Sequence, residues 1–141
     1  MNKQKEFGNF KSKIPEFIAL LCEKMSLKGP SFSYEEIDMV QNFYQRSYKN
    51  TEKIDLTTQQ LDECFYAYFG EAFIHYNLGE WELCTTKNDE AFGTPIILNW
   101  GKDNFPHSSI SPYIWKEYII RGLMDEPISE IIKRAQIPMN P

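Results

Sequence analysis

The sequence predicts a single α+β domain, with helices gathered on one face of a small antiparallel sheet in the order α-α-α-β-β-α-α. Three observations carry that prediction. Residues 57–81 read TTQQLDECFYAYFGEAFIHYNLGEW, a capped and strongly aromatic helix that stops at a glycine and runs straight into a strand. The apolar period then falls from the helical repeat to two, in runs on either side of a Lys-Asn-Asp-Glu turn at 87–90. Amphipathic stretches precede and follow this unit, so helices cluster around one hairpin. The chain has 141 residues, which favours one domain spanning 1–141 with a core large enough to need no disulfide or metal.

Each element has its own local cause. Residues 1–11 are polar and read as a flexible lead-in. Residues 13–25 carry Ile14, Phe17, Ile18, Leu21 and Met25 at helical spacing, with Pro15 tolerated in the first turn. Ser33 and Glu36 form a capping box that opens a second helix with an Ile37, Val40, Tyr44, Tyr48 stripe. Thr57 and Gln60 repeat the motif for the third helix. Its apolar arc is too wide for one contact and predicts a central position. Gly70 inside it costs about 1 kcal/mol relative to alanine and signals a close approach, expected from another backbone. Gly79 is the expected C-cap. Trp81, Leu83 and Thr85 then alternate with Glu82, Cys84 and Thr86, and residues 92–100 form the returning strand, with Ile96 and Leu98 on one face. Pro95 marks an edge or a bulge, because it cannot donate to a ladder. After a loop at 101–109, Ser111-Pro112 starts a fourth helix that Gly122 ends. A fifth begins near Pro127 and buries Ile128, Ile131, Ile132 and Ala135; residues 137–141 are tail.

Composition narrows the function classes. The net charge of -5 argues against nucleic acid, which needs clustered Lys and Arg. Charge is also uneven. Residues 62–90 hold seven acids against one base, a net -6, leaving +1 for the rest. The three cysteines, Cys22, Cys64 and Cys84, are odd in number, widely spaced and set in apolar patterns. They read as buried free thiols of a reducing compartment. The basic, polar start MNKQKEFGNFKSK lacks the apolar run of a secretion signal, and no segment approaches the length of a membrane span. The expectation is a cytoplasmic protein with no membrane partner.

Chemistry-bearing motifs are sparse. Of the two histidines, His75 lies four residues after Glu71 on the central helix, and the pair shares a face. A carboxylate and an imidazole at that spacing can hydrogen-bond, work as an acid–base pair or share a metal, and a cleft between the central helix and the hairpin is their expected setting. No third ligand is evident unless the fold supplies His107, Cys84 or Asp103. No zinc, P-loop, dinucleotide or nucleophile-elbow pattern occurs, and no cofactor or metal is expected. Aromatic residues Trp81, Trp100, Phe105, Tyr113 and Trp115 surround the hairpin and the loop after it. Tyrosine and tryptophan are enriched at binding hot spots, although most large aromatics in a domain this small are core.

The runs YAYFGEAFIHYNLGEWEL at 66–83, GTPIILNW at 93–100 and PYIWKEYIIRG at 112–122 resemble a group of small uncharacterised bacterial domains. The matching positions are Gly70, Glu71, Leu78, Gly79, Trp81, Pro95 and Gly122, and about half the chain is covered. Some of those domains are similar to immunity proteins of polymorphic toxin systems. The resemblance implies a stand-alone binder rather than an enzyme and transfers no catalytic residue.

Three readings follow. The first is a non-catalytic protein-binding module, most specifically an immunity protein whose partner is a basic toxin domain. Its expected contact residues are Glu80, Glu82, Asp89, Glu90 and Trp100. The second is a small enzyme or ligand-binding protein using Glu71 and His75. The third is a homo-oligomer whose aromatics form the subunit interface.

Overall fold

The computed structural model describes residues 2–101 and 108–136. The predicted 101–109 loop lies largely outside the described residues, as do Asp103, Phe105, His107 and the 137–141 tail. Six helices and one hairpin follow in the order α1 (Lys3–Ser12), α2 (Ile14–Met25), α3 (Tyr34–Ser47), a 3-10 turn (Thr51–Ile54), α4 (Thr58–Asn77), β1 (Glu80–Leu83), β2 (Pro95–Leu98), α5 (Pro112–Arg121) and α6 (Ile128–Ala135). The fold is α+β.

The polar lead-in is helical. Asn2 caps α1 by accepting from the amides of Gln4 and Lys5, which satisfies two of the orphan donors at a helix start. Phe10 anchors it: buried, stacked on Phe17 and edge-on to Trp81. Phe7, half-buried, packs against the same core, and two aromatics three apart among polar residues are too few to stand out in a search for apolar periodicity.

Helix α4 is the hub and packs against α2, α3, α5, α6 and β2. Its capping box forms in full: the Thr57 hydroxyl accepts from Gln60 N, and the Gln60 side chain accepts from Thr57 N. Leu61, Phe65, Tyr68, Phe69 and Phe73 are almost wholly buried and look towards different neighbours. The approach at Gly70 is a side chain. Trp81 lies so close that a Cβ at position 70 would meet its Cη2 at 2.0 Å. The helix ends at Leu78 (φ 64°) rather than at Gly79, which follows with φ 124°.

The hairpin pairs Glu80 with Leu98, Trp81 with Ile97, Glu82 with Ile96 and Leu83 with Pro95. Ile97 gives both its N–H and its C=O to Ile110 on the far side. By the two-residue period the Pro95 nitrogen also points away from β1, so the proline removes no bond from this ladder. Trp81 and Ile97 belong to the main core. Ile96 and Leu98 share the opposite face, where they pack with Cys84, Ala91 and Ile114 of α5. Helices therefore touch both sides of the sheet, most of them on the Trp81 side.

Candidate functional site

The expected contact residues fall into two groups. Glu80 and Glu82 are exposed on the face of β1 that pairs with Ile96 and Leu98. Asn99 Nδ2 donates to Glu80 at 3.3 Å. Glu90 is exposed at the turn. Asp89 is built into that turn, accepting from Ala91 N at 2.8 Å. Asp89 and Leu98 also line a small hollow of about 270 Å³ with Thr85, Thr86 and Ser109. Among the described residues none of these four acids forms an ion pair. Trp100 is half-buried. Its ring stands edge-on to Phe73 at 5.3 Å, and its Nε1 donates to the Ser108 carbonyl at 3.1 Å. Part of this ring therefore belongs to the core packing rather than to a free surface.

Glu71 and His75 share a helix face but have different companions. Trp81 Nε1 donates to Glu71 Oε2 at 2.7 Å. The exposed His75 ring lies against Phe32 (5.5 Å) and Tyr76 (4.9 Å). Glu71 lines a groove of about 590 Å³. That groove runs along α2 and the 27–32 segment, not between α4 and the hairpin as expected, and His75 is not part of its lining. Trp81 fills the space on the hairpin side and ties Glu71 to it. No group of three His, Cys, Asp or Glu positioned for a metal occurs among the described residues.

Two polar constellations were not evident in the sequence. At the first, Ser33 Oγ accepts from Glu36 N as a capping box requires, but the Glu36 carboxylate does not return to Ser33. It accepts from Ser31 N, Ser31 Oγ, Phe32 N and, at 2.7 Å, the Tyr68 hydroxyl. Phe32 sits in the left-handed region (φ 55°), and the amides of Ser31 and Phe32 converge on the carboxylate as in an anion-binding nest. Burial pushes the Glu36 carboxyl up, but the bonds from Tyr68, Ser31 and Phe32 together outweigh it and hold the group below its ordinary value.

The second is Lys116, 8% exposed. Its ammonium lies 3.5 Å from Asp62 and 3.5 Å from Glu117, over the rings of Tyr113 (4.7 Å) and Tyr66 (5.5 Å). Asp62 also accepts from the Tyr44 hydroxyl at 3.0 Å. Burial pushes the Tyr66 phenol up to about 12 against the pull of Lys116. The cluster borders a groove of about 670 Å³ between α1, the start of α4 and the end of the hairpin. Its three wall carboxylates, Glu6, Asp62 and Glu63, each have a lysine close by: Lys3, Lys116 and Lys13. The groove is thus electrically balanced.

No family model matches the chain, and neither a curated protein nor a solved structure matches it.

Proposed function

We propose that this chain is a non-catalytic protein-binding module that engages a basic protein partner, as an immunity protein engages a toxin, through the acidic hairpin. The observation that carries the reading is the set Glu80, Glu82, Asp89 and Glu90. These acids occupy one hairpin whose only base between residues 80 and 90 is Lys87, and no ion pair among the described residues neutralises them. Elsewhere Asp62, Glu117, Glu126 and Glu130 are matched by Lys116, Arg121, Arg134 and Lys133. An uncompensated patch of one sign accelerates encounter with a partner of the other sign and suppresses wrong partners. The exposed ring of Phe92 beside the turn (46%) adds apolar area to such a surface.

The test begins with a pull-down by tagged protein from source cells at low and moderate salt, read by mass spectrometry. A stoichiometric, basic partner that is lost as salt rises is expected. The triple variant Glu80→Lys, Glu82→Lys, Glu90→Lys then lowers the association rate at low salt by about tenfold or more, in line with electrostatic steering. Recovery of the protein alone overturns the reading. An association rate unchanged by charge reversal removes the hairpin as the surface. Light scattering on the free protein checks the homo-oligomer reading separately.

A further inference from the structure

The groove beside Glu71 has a mostly apolar lining. Ile14, Ile18, Cys22, Leu27 and Phe32 form its walls, and the half-buried Glu71 carboxylate is set among them. One carboxylate oxygen takes the Trp81 indole proton at 2.7 Å. No hydrogen bond among the described residues reaches the other, and no lysine or arginine pairs with the group. Two further charges, Glu23 and Lys28, are exposed residues of opposite sign and offset one another. A partly desolvated carboxylate with one open oxygen next to an apolar wall favours a ligand that brings both a cation and a hydrocarbon chain.

From this geometry we propose that the groove is a binding site for small aliphatic primary amines, with the ammonium on Glu71 and the alkyl chain along α2. Three features carry the assignment. The carboxylate's open oxygen wants a charged donor. The walls offer an alkyl chain contact but few polar groups, so peptide amides laid there lose water without gaining partners. The site is also pre-formed. Trp81 fixes one oxygen of Glu71, and Phe32 is fixed by its N–H donating to Glu36 and by the Tyr76 hydroxyl donating to its carbonyl, so binding orders little. The inference is independent of the hairpin surface.

The experiment is a titration of the intact protein with hexylammonium, hexanol, hexanoate and N-acetyl-lysine amide. It is followed by proton–nitrogen correlation spectra at the Trp81 indole N–H and the amides of Ala19, Cys22 and Leu27. Hexylammonium is expected to bind at least about tenfold more tightly than hexanol, with hexanoate weakest and the Trp81 indole signal moving on binding. Glu71→Gln keeps an acceptor for Trp81 and removes the charge; it should erase the difference between hexylammonium and hexanol. Ala19→Trp, at an exposed position on the groove wall, should block all probes without touching the core. Equal binding of the ammonium, alcohol and carboxylate overturns the proposal, as does an ammonium preference that survives Glu71→Gln, or no binding at all. Tighter binding of N-acetyl-lysine amide than of hexylammonium also overturns it, because the site would then belong to a partner's lysine.

Discussion

The indole of Trp81 occupies the volume that a side chain at Gly70 would fill: a Cβ there would lie 2.0 Å from Cη2 and 2.2 Å from Cζ2. The ring cannot swing clear easily, since Glu71 holds its Nε1 and Phe10 meets it edge-on at 5.4 Å. Gly70→Ala gains about 1 kcal/mol of helix propensity and loses more to overpacking, which typically costs about 1–3 kcal/mol. The expected net is a loss of stability in urea unfolding. Adding Trp81→Phe, which vacates the space, should restore part of it. An alanine variant as stable as the parent would disprove the close fit.

Glu36 ties the 31–33 segment to α4 through Tyr68. Glu36→Gln replaces an all-acceptor group by one that presents donors to donors. A loss of about 2 kcal/mol is expected, typical of hydrogen bonds to a charged group. The pH dependence has a definite sign. The folded carboxyl lies below its ordinary value of 4.5, so its stabilisation is fully present above that value and is lost as pH falls through the lower folded one. The stability gap between parent and variant should therefore narrow as pH falls below 4.5. A gap that stays constant on acidification would contradict the assignment.

Removing Lys116 strands Asp62. Both side chains are largely shielded, at 10% and 20% exposure. Lys116→Met should cost about 2–3 kcal/mol, somewhat less than the loss of a fully buried partner because Asp62 keeps some water. Pairing it with Asp62→Asn should cost less than the sum of the two single changes by about 1 kcal/mol or more. Strict additivity in that double-mutant cycle would show that the two charges do not communicate.

All three thiols are buried. Burial pushes the Cys64 thiol up to about 12, and burial with the nearby Glu36 charge raises Cys22. Thiolate is the reacting form, so the native protein should be almost inert to a disulfide reagent at mildly alkaline pH. Unfolding should release three reactive groups. Rapid labelling of one site in the native state would mark a thiol reached by solvent.

What could be read beforehand was local. The Thr57–Gln60 box, the wide arc of α4, the Gly122 cap and the two-residue period of the hairpin depend on neighbours a few positions away. What escaped depends on distance. Glu36 scans as a capping residue, yet its Tyr68 partner is 32 residues on. Helix α1 is held by Phe10 against Trp81 and Phe17, with Phe7 beside it, a pair too short to read as an apolar stripe. Glu71 and His75 have the right spacing for joint chemistry, but Trp81 claims the carboxylate and Phe32 the imidazole. The acids of the hairpin and the turn at 87–90 could be read in the sequence; that the Asp89 carboxylate accepts from Ala91 N could not. Trp100 was expected at a binding surface, and its contact with Phe73 comes from the packing of α4.

Helix α6 starts at Pro127 with no capping bond from its own segment. Its first amide, Ile128 N–H, is taken by Gln41 on α3, 87 positions earlier, and Ser129 donates to Asp38 beside it. An eight-residue helix is too short to persist alone in water, so α6 takes shape only on an α3 already in place. In synthesis order, α3 must wait with a bare glutamine and an unfinished apolar side until the segment that completes it has been made. Whatever guards the nascent chain from aggregation has to guard that surface for the whole interval.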